Sequence, residues 1–272
     1  MTAKTSTIAP LVQLKTGGQK PGIFLAHGIG GDATDFSELV RHMRLPHPIY
    51  AMQAQGNHVT VRKPLRSIEE MAGVYLDAIK RVQPEGPYLL VGYSLGGLVS
   101  LEVAQHLCRA GERVPLLTLV DSYPHQSRLS TRQRCRLFRR LIHRRVLSVV
   151  RDFRKHGPNR RPSQDLRAAI TNPESSRTLQ QRLQKDCYVA LRKYRPRFYE
   201  GSIRFIKAEM PTKFPDNPAA VWAHLAANFE ADTMPGDHVT MLSTHSDMFA
   251  SLLTRQITHA LLESSHLGSG QK

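Results

Sequence analysis

The sequence predicts an α/β protein, with a mostly parallel central sheet flanked by helices. Three observations lead there: short apolar runs alternate with helical periodicity, the runs are apolar throughout instead of at every second residue, and one of them bends into a helix at a serine set between glycines. Continuous apolar character marks strands covered on both faces, as a parallel sheet between helix layers requires.

The strands are read at GIFLAHG (Gly22 to Gly28), IYAMQAQG (Ile49 to Gly56), YLLVGYS (Tyr88 to Ser94), PLLTLVDS (Pro115 to Ser122) and SIRFIKA (Ser202 to Ala208), with an apparent last strand ahead of Pro235. The clearest helix starts at Ser67, where Ser67 and Glu70 form a capping box before Met71, Val74, Tyr75, Ala78 and Ile79 at helical spacing. A second is expected from Leu95 to Ala110 with Gly111 in its C′ position, and a last one from Asp247 to Glu263. From Tyr123 to Tyr199 this rhythm breaks. No strand signal appears there; Leu137, Phe138, Leu141, Ile142, Leu147 and Val150 outline an amphipathic helix and Leu179 to Leu191 a second, so 123–199 reads as a helical lid inserted over the strand ends.

At 272 residues with 40% hydrophobic positions, the chain can bury one substantial core, and 1–272 is expected to be a single domain and a monomer. Its N-terminus carries no apolar signal region, and no run of about 18 apolar residues occurs anywhere, so a cytoplasmic protein without stable membrane association is expected. Cys108, Cys135 and Cys187 are odd in number and lack ligand spacing, which argues against a disulfide framework and against a metal site. The net charge of +16 is regional: from Arg128 to Arg161 the basic side chains are opposed by Asp152 alone. The plain reading of such a segment is a solvated outer face over an apolar inner face; its functional reading is an electrostatic landing surface for an acidic protein. Nucleic acid is not expected, because no aromatic residues interleave with the charges.

In Gly92-Tyr93-Ser94-Leu95-Gly96 a strand must reverse into a helix within a few residues, which pushes the serine hydroxyl outward. An oxyanion forming there meets the Leu95 N–H and the positive end of the following helix. By itself GxSxG arises by chance in roughly one chain of this length in ten, so context and partners decide. A serine hydroxyl needs a base, the base needs an acid, and in such a fold they follow in the order Ser, acid, His. Asp121 ends the next strand. Among the late histidines, His238 follows the loop Pro235-Gly236-Asp237 whereas His245 lies at the entrance to the terminal helix, so His238 is preferred.

With these residues in view, the chain resembles the thioesterase domains that terminate nonribosomal peptide and polyketide synthases, members of the α/β-hydrolase superfamily. The resemblance rests on APLVQLKTGGQKPGIFLAHGIGG, IYAMQAQG, SIEEMAGVYLDAIKRVQPEGPYLLVGYSLGGLVSLEVAQHL, LLTLVDSYP and VWAHLAANFEADTMPGDHVTML, and spans nearly everything outside the basic insertion. It implies Ser94 as nucleophile, Asp121 as triad acid, His238 as general base, and the Ile29 backbone N–H as a second oxyanion donor beside Leu95. Some members of the family carry the acid after a later strand, which keeps Asp216 as a substitute. A phosphate-loop reading of HGIGG lacks both GxGxxG and the Walker lysine.

The resemblance further implies acyl transfer without a resident cofactor. The acyl or peptidyl chain arrives on the phosphopantetheine arm of a carrier protein, passes to Ser94, and leaves to water as an acid or to an internal nucleophile as a ring. A general carboxylesterase or lipase and a noncatalytic α/β-hydrolase binding protein are the competing classes.

Overall fold

The computed structural model describes residues 9–54, 65–129, 131–135, 174–210 and 214–269. Seven strands form one sheet: β1 (Leu11–Lys15), β2 (Ile23–Ala26), β3 (Ile49–Met52), β4 (Leu89–Tyr93), β5 (Leu116–Val120), β6 (Tyr199–Ala208) and β7 (Ala226–Met234). Their order is β1-β3-β2-β4-β5-β6-β7. Only β1 runs antiparallel, against β3; every other neighbouring pair is parallel. The loops that follow β2, β4, β5 and β7 therefore all leave the sheet at one edge.

Helices bounded within the described residues are α1 (Ser37–His42), α2 (Ile68–Val82), α3 (Leu95–Arg109), α4 (Glu174–Lys193), α5 (Ala219–Trp222) and α6 (Ser246–Ser269), and residues 131–135 are helical as well. Strand side chains alternate between two apolar cores. Phe24, Leu90, Leu117 and Phe205 face the core shared with α2, α3 and α4, while Ile23, Leu25, Val91 and Ile206 face the one shared with α1 and α6. Burial on both faces is why β2, β3, β4 and β5 read as apolar runs; β6, expected to be one too, alternates instead, with Ser202 exposed and Arg204 and Lys207 half-buried beside Ile203, Phe205 and Ile206.

Local signals set the helix ends. The Ser67 hydroxyl accepts from the Glu70 N–H at 3.1 Å, as expected, but the Glu70 carboxylate accepts from the Arg66 N–H at 3.0 Å, one residue before the position a reciprocal capping box requires. At the far end of α3, the Gly111 N–H bonds the Cys108 carbonyl and the Glu112 N–H the Leu107 carbonyl, both at 3.0 Å, a Schellman closure.

Of the insertion expected at 123–199, residue 130 and residues 136–173 lie outside the described residues, and with them the first amphipathic helix. The second is α4, longer at both ends than the 179–191 expected. It docks through Leu183, Cys187, Ala190, Leu191 and Tyr194 onto the α2/α3 core. A buried carboxylate fastens its end: Glu102 of α3, 1% exposed, accepts from the Tyr194 hydroxyl at 2.8 Å and from Arg197 at 2.5 Å. Burial, and then the Glu102 charge, push the Tyr194 phenol up, so it stays a donor. Tyr194→Phe removes one donor from a buried charge and is expected to cost about 1.5–3 kcal/mol, read as a lower urea midpoint at unchanged slope.

Candidate active site

Ser94 is the hinge between β4 and α3, at φ 55 and ψ −118. Asp121, which follows β5 directly, has φ 43. Among the described residues these are the two non-glycine positions with positive φ, each a conformation that costs on the order of 1–3 kcal/mol. Neighbouring strands hold both. The Ser94 N–H bonds the Val120 carbonyl at 2.9 Å, and the Asp121 N–H bonds the Ile206 carbonyl at 2.7 Å, so sheet pairing runs on through each bend.

The glycines of the pentapeptide answer to backbone contacts. A Cβ on Gly92 would lie 2.2 Å from the Gly96 carbonyl oxygen, and one on Gly96 would lie 2.2 Å from the Ala26 carbonyl oxygen. The first absence lets β4 pass under the opening turn of α3; the second lets α3 pass β2. Together they set the tight reversal that leaves Ser94 partly exposed at the sheet edge.

His238 lies in the loop after β7. Its Nδ1 is 2.7 Å from the Asp121 Oδ2, and the Asp121 side chain is 1% exposed against 26% for His238. A carboxylate only accepts, so Nδ1 carries the proton and Nε2 is left as the acceptor. The loop is shaped by Asp237, whose Oδ1 accepts from the Val239 and Thr240 N–H groups at 3.0 and 2.8 Å. Hydrogen bonds from Thr240, then Val239, hold the Asp237 carboxyl below its usual range. His245 packs on Gly236 instead, where a Cβ would come within 2.6 Å of its ring. Of the two late histidines it is His238 that meets Asp121, and the acid on its Nδ1 is Asp121, not Asp216.

The Gly28–Gly31 loop lies beside the bend: a Cβ on Gly28 would be 3.6 Å from the Ser94 Cβ. Beneath it, the buried His27 has Nδ1 2.6 Å from the Gly28 carbonyl and Nε2 2.5 Å from the Tyr75 hydroxyl. Carbonyls only accept, so Nδ1 donates, Nε2 accepts, and the Tyr75 hydroxyl is the donor. Burial lowers the His27 pKa, in keeping with that neutral tautomer. The Gly28 C=O and Ile29 N–H belong to one planar trans peptide, so turning the carbonyl toward His27 turns the Ile29 N–H away from it. Of the two expected oxyanion donors, Leu95 follows Ser94 in the chain and Ile29 follows Gly28, where a Cβ would lie 3.6 Å from the Ser94 Cβ.

Two aromatic residues at the site were not singled out from the sequence. Tyr93 donates its hydroxyl to the His238 carbonyl at 2.6 Å and stacks on the imidazole, centroids 4.8 Å apart at 24°. Phe214 meets the same imidazole at 5.7 Å and 55°. Nothing in the spacing joins positions 93 and 214 to 238; the sheet edge does. Burial pushes the third thiol, Cys187, up to about 11. Among the described residues no group of three or more His, Cys, Asp or Glu could hold a metal ion, and no helix is long and apolar enough to cross a membrane.

Residues 21–257 match the family model of the thioesterase domain. The chain belongs to the thioesterase-domain family. Among curated relatives of this thioesterase domain, a dimodular nonribosomal peptide synthase of Bacillus subtilis (strain 168) is 38% identical over 125 residues, 46% of the chain and 5% of the relative. The malpibaldin synthetase of Mortierella alpina is 41% identical over 109 residues, 40% of the chain and 2% of the relative. The chain thus matches a small part of these long proteins. Among solved structures, the NocB thioesterase domain from the nocardicin cluster has TM-score 0.66 at 22% identity, covering 92% of the chain and 99% of that domain. A four-domain nonribosomal peptide synthetase bound to AMP and glycine has TM-score 0.69 at 21% identity, covering 93% of the chain and 20% of that protein. The seven-stranded, mostly parallel sheet with flanking helices has the α/β-hydrolase fold of these thioesterase domains.

The close approach at Gly96 is directly testable. Gly96→Ala is expected to force β2 and α3 apart and to cost about 1–3 kcal/mol or more, measured by thermal or urea unfolding, while an alanine at the exposed Gly18, which has nothing within 4 Å, leaves the midpoint in place.

Proposed function

We propose that the chain is a serine thioesterase that releases acyl or peptidyl chains from the phosphopantetheine arm of a carrier protein. One observation carries this reading: the buried Asp121 carboxylate holds His238 by Nδ1 at 2.7 Å, at the strand edge where Ser94 is presented in a strained turn. Family membership adds the thioester as the bond to be cleaved, and the partial matches within peptide synthetases add the carrier. In this reading 1–272 is one hydrolase domain and 123–199 its lid.

The Ser94 hydroxyl attacks the thioester carbonyl carbon while His238 Nε2 takes its proton and the Asp121 charge stabilises the imidazolium. The Ile29 and Leu95 N–H groups and the start of α3 hold the oxyanion. The tetrahedral adduct collapses, the carbon–sulfur bond breaks, and the imidazolium returns a proton to the departing pantetheine sulfur. An acyl-serine ester remains. His238 then deprotonates either water or a hydroxyl or amine of the acyl chain as it attacks the ester carbon. The adduct breaks its bond to the Ser94 oxygen, which regains its proton from the imidazolium, and an acid or a ring leaves, exclusion of water over the site favouring the ring. The machinery needs no resident cofactor.

The carrier is the expected source of the positive surface's function. Along α4 and just after it, Arg182, Lys185, Arg192, Lys193, Arg195 and Arg197 are exposed. Such a surface raises encounter rates with an acidic protein and is screened by salt.

Intact-protein mass spectrometry with a panel of acyl-loaded carriers tests the reading. An acyl increment on Ser94 is expected, with loss of the increment and at least about a 10³-fold fall in turnover for Ser94→Ala and Asp121→Asn. Raised salt is expected to weaken use of the loaded carrier more than use of a small thioester. Preference for free oxygen esters with indifference to the carrier would make the chain a carboxylesterase, and failure to form a fluorophosphonate adduct would make it a noncatalytic binding protein.

A further inference from the structure

We propose that Tyr93 is a positioning residue that locks the His238 imidazole to the strand bearing Ser94. The inference rests on the Ser94–Asp121–His238 reading above and adds a component to it. A single hydrogen bond from Nδ1 to Asp121 leaves the imidazole free to rotate about the bond axis, so it fixes the tautomer but not the plane in which Nε2 lies. His238 also sits in a loop, between Met234 of β7 and Ser246 of α6, where no sheet ladder holds its backbone.

Tyr93 supplies a backbone tether and a stacking face from one side chain, on the imidazole that Phe214 also meets at 55° and in the loop that Asp237 shapes. Its hydroxyl donates to the His238 carbonyl at 2.6 Å, which ties the loop backbone to β4. Its ring lies nearly parallel to the imidazole, 24° off, with centroids 4.8 Å apart, which sets the ring plane. Tyr93 is itself pinned, 8% exposed and resting on Gly28, where a Cβ would come within 3.0 Å of its ring. Burial, then the Asp121 charge, push its phenol up, so it remains a hydrogen-bond donor. Because Tyr93 directly precedes Ser94, the tether holds base and nucleophile in register through one residue of one strand. The stacked face contributes again when His238 takes the serine proton, since a cation within about 6 Å of an aromatic face is attracted to it.

Two variants separate the constraints: Tyr93→Phe keeps the face and removes the tether, and Tyr93→Leu removes both. On a small acyl thioester, the folded Tyr93→Phe protein is expected to lose about tenfold in kcat with KM within about twofold, and Tyr93→Leu about a hundredfold, since a misplacement of about 1 Å costs on that order. A purely structural role would lower the unfolding midpoint and leave kcat of the folded protein unchanged. A second readout needs no turnover: the downfield proton resonance of His238 Nδ1–H, assigned by its loss in Asp121→Asn, is expected to be sharp in the wild type and broadened in Tyr93→Phe. Wild-type kcat in the folded Tyr93→Phe protein overturns the proposal whatever the resonance does, and a lowered kcat with an unchanged resonance overturns its account of how Tyr93 acts. The parent reading fails separately, by persistence of turnover in Ser94→Ala; a dead Ser94→Ala beside a fully active Tyr93→Phe sinks the positioning role alone. If Tyr93→Leu does not fold, the Tyr93→Phe rate and resonance decide.

Discussion

The hydrogen bond between His238 and Asp121 spans 117 positions of chain and depends on nearly everything else in the molecule. A carboxylate 1% exposed is costly unless its charge is met, and the imidazole Nδ1–H is the donor that meets it. Asp121 reaches that place only by leaving β5 at φ 43, and the strain persists because β6 takes its N–H. Ser94 repeats the device one strand over, at φ 55 with its N–H on Val120. The parallel sheet is therefore a jig: hydrogen-bonded ladders that continue one residue past the strand ends hold two side chains in conformations that neither would adopt alone.

A second buried carboxylate does different work with the same physics. Glu102 draws in Tyr194 and Arg197, which fastens the chain after α4 to α3. Along α4, Leu183 lies against Gly31, close enough that a Cβ there would be 2.8 Å from its Cδ2. The helix is thus tied by charge at one end and presses with an apolar side chain on the loop beside Ser94. With its outward side basic and its inward side apolar, α4 joins the surface of the molecule to the loop that lines the candidate site.

What was legible in the sequence follows from which constraints are local. β2 to β5 could be read because both faces are buried, β6 because Ile203, Phe205 and Ile206 keep an apolar centre between Arg204 and Lys207, and the bend at Ser94 because two glycines and a serine within five residues are a local signature. β1 and the bounds of β7 escaped that test. β7, AANFEADTM, is an outer strand exposed at most of its positions, so its composition resembles a loop. His238 could be chosen over His245 because Pro235-Gly236-Asp237 marks a turn after a strand, a local cue for a long-range partner. Tyr93 carried no such cue: its role comes from a ring and a carbonyl 145 positions apart that meet only when β7 delivers its loop to the same edge as β4. The His27–Tyr75 pair was hidden in the same way, each residue reading as ordinary core within its own element.

That pair shows how a buried neutral group shapes an exposed one. His27 cannot carry charge cheaply at 1% exposure, so its ring must split its nitrogens into one donor and one acceptor. The Tyr75 hydroxyl can serve either role, whereas the Gly28 carbonyl can only accept, and this asymmetry forces the proton onto Nδ1. Once the carbonyl is bound from below, peptide planarity decides the direction of the Ile29 N–H on the opposite side of the same bond. The same carbonyl also accepts from the Gly31 N–H at 3.1 Å, so the loop beside Ser94 is held both from the core and from within itself. For the oxyanion donor that Ile29 is proposed to be, this matters, since a dipole already held in place has little reorientation left to undergo when charge forms.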